Sequence, residues 1–111
     1  SGSRIDHVLA NILFIAYFSC KKTPITIIEG NQQLYFTANT ISLPTKKGDV
    51  ISLIPIKENC YGVVTTGLQY ALQNETLYFG ASRGLSNVAV SMRVAVKIKK
   101  GTLCVIHTMQ N

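Results

Sequence analysis

Three clusters in this sequence carry residue types able to do chemistry. The first is Gly2-Ser3-Arg4-Ile5-Asp6-His7 at the start of the chain. An arginine such as Arg4 grips phosphate oxygens through two parallel N–H donors. Asp6 is a hard oxygen donor of the kind Mg²⁺ takes. His7 and Asn11 are four residues apart, so on a helix they share one face and add polar contacts. A helix starting here would also present free N–H groups and positive dipole to an anion. The Ser3/Asp6 spacing equally makes a capping box, a purely structural device. Both readings stand at this point.

The other two clusters are glycine-punctuated loops, Gly67-Leu68-Gln69-Tyr70-Ala71-Leu72 and Gly80-Ala81-Ser82-Arg83-Gly84-Leu85-Ser86-Asn87. They bracket an apolar run, Thr76-Leu77-Tyr78-Phe79, expected to be a short strand. Tyr70 could stack on a heteroaromatic ring, or face it as a cation–π partner if that ring is charged. Ser82, Ser86 and Asn87 offer hydroxyls and a carboxamide for its polar edge. Together they describe a pocket for a flat, partly polar small molecule. The plain alternatives are a packed tyrosine and an ordinary turn. No Ser-His-Asp arrangement is visible, and His107 reads as a strand residue.

The elements that must position these clusters follow from periodicity. Ile5, Val8, Leu9, Ile12, Leu13 and Ala16 recur at helical spacing, predicting a helix over 4–20 that is polar at its start and apolar all round later. Ile25–Glu29 and Leu34–Thr37 flank Gly30-Asn31-Gln32-Gln33 and predict a hairpin. From about Thr40, strands are expected at 41–43, 50–56, 61–66, 76–79, 88–98 and 103–108. Val90, Met92, Val94, Val96 and Ile98 alternate with Ala89, Ser91, Arg93, Ala95 and Lys97, which predicts one buried face. Val50–Ile54 is apolar on both faces and reads as central, with Pro55 expected to end its pairing. Short strands at this spacing mean a β-sandwich or barrel.

Bulk properties narrow the classes. Apolar residues make up 47% of the chain, enough for a core only if most of it folds. The net charge of +6 falls as Lys21-Lys22, Lys46-Lys47 and Lys99-Lys100, each beside Pro or Gly and so expected in turns. Nucleic-acid readers interleave aromatics with such charge, and that pattern is weak here. Cys20, Cys60 and Cys104 are odd in number and widely spaced, which excludes a disulfide scaffold or zinc site and suits a reducing cytoplasm. All three read as buried small hydrophobes. The apolar run Val8–Phe18 is shorter than the roughly 20 residues a membrane span needs. The sequence begins without Met, so the natural start is expected upstream.

The ordered set of motifs resembles the thiamin pyrophosphokinase (thiamin diphosphokinase) family. The family pattern G-x-R-x-D-H with a following L-x-N-I reads Gly2 to Ile12 here. The I-S-L-I-P strand is Ile51-Ser52-Leu53-Ile54-Pro55. The G-V-x-T-x-G-L-x-Y-x-L run spans Gly62 to Leu72, and G-x-S-x-G-x-S-N spans Gly80 to Asn87. Two positions depart from the pattern: Leu85 stands where Thr is frequent, and Val88 where an acid is. Either change bears on how that edge would hold thiamin.

The resemblance implies an enzyme moving pyrophosphate from ATP to the hydroxyl of thiamin, with Mg²⁺, in the cytoplasm, by a homodimer sharing its sites between subunits. It implies that Arg4, Asp6 and His7 serve the pyrophosphate end, with Asp6 on the metal. Tyr70, Ser82, Ser86 and Asn87 would bind thiamin. The family's acidic G-D-x-D-S loop is absent from this chain, so the chain alone is expected to bind thiamin weakly and turn nothing over. The expected architecture is an antiparallel, jelly-roll-like β-sandwich over 39–111, preceded by a helix and hairpin, residues 1–38, from the end of an α/β catalytic domain. Nucleic acid and membrane are not expected partners. Two rival readings remain: a non-enzymatic metabolite-binding sandwich, and an OB-like single-strand binder.

Overall fold

The computed structural model describes residues 5–18 and 26–110, with the helix's side chains described through Leu13. Helix α1 (Ile5–Phe18) is followed by β1 (Thr26–Glu29), β2 (Gln32–Thr37), β3 (Thr40–Pro44), β4 (Val50–Thr66), β5 (Gln73–Leu77), β6 (Asn87–Val88), β7 (Arg93–Lys97) and β8 (Lys100–Thr108). All strand pairings are antiparallel. The sandwich expected from the strand spacing is the observed fold.

One long strand makes both layers. The first part of β4 lies between β8 and β6, with β2 and β1 continuing beyond β8. Its last part lies between β7 and β5, with β3 beyond β7. The sequence predicts separate strands at 50–56 and 61–66, but they are two arms of β4 around a corner. Between Ile56↔Thr102 and Tyr61↔Lys100 the register slips. Lys57 there takes a positive φ of 74°. Opposite the corner, Gly101 approaches so closely that a Cβ would lie 2.6 Å from the Asn59 carbonyl oxygen. Such bulges turn a strand from one sheet into the next.

Pro55 does not end the pairing, which continues through Pro55↔Leu103 to Ile56↔Thr102. The reason is direction. The Leu53 N–H, two residues earlier, points away from β8 and donates to the Gly84 carbonyl oxygen at 2.8 Å. Pro55 shares that orientation, so its missing N–H falls on the side away from β8 and costs no bond to it.

The core lies between the layers, with Ile51, Leu53, Val63, Val94, Leu103 and Val105 among its buried members. A second cluster covers the outer side of the first layer: Leu34, Phe36 and Cys104, with Ile12, Ile54, Ile56 and Ile106 packed against it. Both faces of β4 and β8 are therefore apolar, as the 50–54 run requires. The expected hairpin exists, and β2 pairs with β8 from Gln32↔Thr108 to Thr37↔Leu103, so the sheet runs across residue 38.

Three further expectations need correction. The strand read at 76–79 lies at 73–77, and Tyr78 and Phe79 are exposed beyond it. The strand read at 88–98 is broken between β6 and β7, because Ala89 and Val90 bond instead to Asp49 and Gly67. Inward alternation accordingly starts at Val94, leaving Val90 and Met92 exposed. The helix forms, and Ile12 of its described apolar stripe packs on the sheet's outer cluster; Ile5, Leu9 and Leu13 are more than half exposed.

Candidate functional site

A cavity of about 380 Å³ opens between the two glycine-punctuated loops, lined by Leu53, Tyr70, Ala71, Leu72, Arg83, Gly84, Leu85 and Asn87. Its floor is β4 and its walls are the loops. Gly84 makes the close approach possible: a Cβ there would lie 2.3 Å from the Leu53 carbonyl oxygen. The same residues bond, the Leu53 N–H donating to the Gly84 carbonyl oxygen at 2.8 Å.

Asn87 ties the loops together. Its Oδ1 accepts from the Tyr70 N–H at 3.0 Å and the Val88 N–H at 2.9 Å, and its Nδ2 donates to the Tyr70 carbonyl oxygen at 2.7 Å. A buried carboxamide with these partners holds backbone in place. The structure thus places Asn87 as the residue that sets Tyr70, which is 65% exposed and so able to take a partner. Leu72 is fixed in a similar way, its N–H donating to Thr65 Oγ1 at 2.9 Å.

Ser86 and Ser82 have other surroundings. Ser86 takes a left-handed backbone, φ 58°, and its N–H donates to Ser52 Oγ at 3.0 Å. Ser82 begins the tight turn closed by the Leu85 N–H donating to its carbonyl oxygen. Both serines are exposed, and neither lines the cavity. Arg83 does line it, and is ion-paired with Glu75 of β5 at 2.5 Å. Leu85, one of the departures from the family pattern, adds apolar wall where a hydroxyl would be polar.

Of the phosphate-end residues, Arg4 and Ser3 lie outside the described residues. Asp6 and His7 sit exposed in the first turn of α1, and Asp6 Oδ1 accepts from the His7 N–H at 2.9 Å. Neither lines the cavity. Ile12 of α1 packs on the same Leu34, Phe36 and Cys104 cluster as Ile54, whereas the cavity floor is Leu53, and adjacent strand residues face opposite ways. The helix and the cavity therefore occupy opposite faces of the same layer.

Sequence reasoning missed a buried Asp–His contact. His107 Nε2 lies 2.8 Å from Asp49 Oδ2, and both residues are buried. Asp49 also accepts from the Lys46 N–H at 2.9 Å and the Gln110 N–H at 3.0 Å. Burial alone would raise its carboxyl pKa, but the bonds from Gln110, His107 and Lys46 outweigh it and hold the pKa below the ordinary value. The Asp49 carbonyl oxygen accepts from the Ala89 N–H, so the pair anchors the chain just beyond Asn87. The signal available in the sequence was an acid inside an otherwise apolar strand entry, Gly48-Asp49-Val50.

Cys60 and Cys104 are free and buried, as expected; Cys20 lies outside the described residues. Burial pushes the Cys60 thiol up to about 11, with Glu58 adding to it, and Cys104 up to about 12. Among the described residues no three His, Cys, Asp or Glu side chains gather as a metal site, and no helix is long and apolar enough to cross a membrane.

Comparison with known proteins places this geometry. Residues 38–103 match the model of the family described as thiamin pyrophosphokinase, vitamin B1 binding domain. Among curated proteins no sequence matches. Thiamine pyrophosphokinase from Bacillus subtilis shares the fold at a TM-score of 0.88 and 24% identity, over 100% of this chain and 53% of that one. The enzyme from Geobacillus thermodenitrificans follows at 0.83 and 22%, over 100% and 52%. That from Candida albicans gives 0.77 and 15%, over 98% and 42%. The chain spans about half the length of these structures. The matched segment takes in every residue lining the cavity as well as the corner strand beneath it, and the chain belongs to the thiamin pyrophosphokinase family through its vitamin B1 binding domain.

Proposed function

We propose that the cavity between Tyr70 and the 83–87 turn binds thiamin, and that the protein carrying this chain is a thiamin pyrophosphokinase. The observation that carries this reading is the cavity itself: an exposed aromatic ring held over an apolar floor, inside the segment matched to a vitamin B1 binding domain. Thiamin pairs a flat pyrimidine with a cationic thiazolium. Tyr70 suits both, by stacking and by cation–π attraction. Leu53 and Leu72 exclude water from one side of the bound rings. Ser86 and Ser82, exposed at the rim, would meet the ligand's polar edge.

The reaction we assign is pyrophosphoryl transfer from ATP to the thiamin hydroxyl, releasing AMP. Such transfer needs the alcohol held in line with the attacked phosphorus and the polyphosphate charge neutralised. This chain contributes the first requirement by fixing the rings. Toward the second, Arg4, Asp6 and His7 would face the pyrophosphate. Mg²⁺ would supply charge neutralisation. Asp6 is an oxygen donor of the right hardness, but it is one donor, and the described residues do not complete a site around it. The remaining ligands would come from elsewhere in the enzyme.

The opposite-face arrangement supports a shared site. A thiamin bound at Tyr70 and a phosphate at α1 of the same subunit would be separated by a layer of sheet. A homodimer, in which one subunit's cavity faces the other's α1, removes that obstacle. We place this enzyme in the cytoplasm, where buried unpaired thiols persist reduced.

The test is titration of the chain with thiamin, followed by backbone NMR. Shifts are expected at the amides of Tyr70, Leu72, Leu85 and Asn87. Shifts elsewhere only, or none, would remove the reading. With ATP and Mg²⁺ added, the chain alone is expected to form no thiamin diphosphate.

A further inference from the structure

Arg83 is the only charged side chain lining the cavity among the described residues. That is a poor match for a cationic ligand in a chain of net charge +6. Glu75 resolves it. Its carboxylate pairs with the Arg83 guanidinium at 2.5 Å, with side-chain exposures of 34% and 59%. The carboxylate is delivered from a strand, since Glu75 sits in β5 opposite Val63 of β4, between two register shifts of that pairing. Arg83, by contrast, sits in a turn. The ion pair thus ties the turn's guanidinium to a strand residue.

We propose that Glu75 is the positioning residue that lets this cavity accept a cationic ring, by neutralising Arg83 at its wall. The inference rests on the thiamin reading of the cavity. Its content is additional: charge selectivity comes from a residue outside the cavity lining. Without the carboxylate, the guanidinium would be an uncompensated positive charge beside the thiazolium. Because the Arg83 side chain is more than half exposed, the charges are screened nearly as in bulk water, and at contact distance their repulsion weakens binding roughly three- to ten-fold, and more at low salt. As an exposed pair, Glu75–Arg83 adds little to folding, so its effect should fall on ligand choice.

The experiment compares thiamin with a neutral isostere in which thiophene replaces the thiazolium. Both are titrated into the wild-type chain, E75Q, E75D and the double variant E75Q/R83Q. E75Q is expected to weaken thiamin roughly three- to ten-fold while changing the neutral isostere by less than about two-fold. E75D should recover most of the loss. The double variant should return the thiamin-to-isostere ratio to about that of the wild type, because the charge to be neutralised is gone. A ratio unchanged in E75Q, or equal loss for both ligands, overturns the charge role while the thiamin reading stands. Failure of the wild type to bind either ligand overturns both.

Discussion

Asn87 holds Tyr70 by its main chain, not its ring: the carboxamide accepts from the Tyr70 N–H at 3.0 Å and donates to the Tyr70 carbonyl oxygen at 2.7 Å. The two residues stand 17 apart in sequence on different loops, so this bond pair, with the Gln69–Val88 and Gly67–Val90 backbone bonds, joins the loops into one site. It also separates two roles that mutation can tell apart. Tyr70→Ala removes an exposed ring and should leave stability within about 0.5 kcal/mol, while weakening thiamin roughly three- to thirty-fold. Asn87→Ala deletes buried bonds and should cost roughly 1–3 kcal/mol of stability as well as binding. Urea melts beside thiamin titrations check both. Equal stability losses would show that the ring is not free.

Gly84→Ala probes the floor. The new methyl carbon would sit 2.3 Å from the Leu53 carbonyl oxygen and 3.1 Å from Leu53 Cβ. The backbone must then shift and the Leu53–Gly84 bond lengthen. We expect a loss of roughly 1–3 kcal/mol and markedly weaker thiamin binding. Unchanged amide shifts for Leu53 and Leu85 in the variant would contradict the close approach.

Much of this molecule was legible in the sequence because local rules and tertiary context agree there. The glycine-bounded loops, the two-faced apolar strand at 50–54 and the helix periodicity are all local signals. What misled was non-local. Residues 50–66 form one strand because a slip against Gly101 turns the corner, and no local pattern announces a partner about forty residues away. Pro55 is harmless only because its ring nitrogen, like the Leu53 N–H two residues earlier, faces away from β8. Asn87 offers the same donor and acceptor to a ligand or to Tyr70, and the sequence gives no way to tell which. The Asp49–His107 pair spans 58 residues and has no motif at all.

The thiols provide a check on burial. With pKa values pushed up to about 11 for Cys60 and about 12 for Cys104, the reactive thiolate is scarce near neutrality. Cys60 is further held by its Sγ donating to the Thr102 carbonyl oxygen at 3.3 Å. In a Cys20→Ser background, neither should be alkylated by iodoacetamide at pH 8 within the time that full labelling takes in denaturant. Labelling of native protein at the denatured rate would place a thiol at the surface.

Asp49 predicts how the fold fails in acid. Its folded pKa is lowered, so its contribution to stability is complete above the unfolded carboxylate value of about 3.9. The contribution is lost as pH falls through the lower, folded value. Between pH 7 and 5 this group should leave stability flat; below about pH 4 stability should fall. Asp49→Asn keeps an oxygen for the Gln110 N–H but points an amide at the Lys46 N–H, leaving that part-buried donor without its acceptor. We therefore expect it to be less stable than the wild type at pH 7 by roughly 1–3 kcal/mol, and to show a shallower decline below pH 4. The chain has only five acidic residues, and Asp49 is the buried one among those described, so the difference in slope should be readable in urea melts across pH 2 to 7. Parallel curves below pH 4 would mean that the Asp49 carboxylate is not what its hydrogen bonds from Lys46, Gln110 and His107 hold ionised.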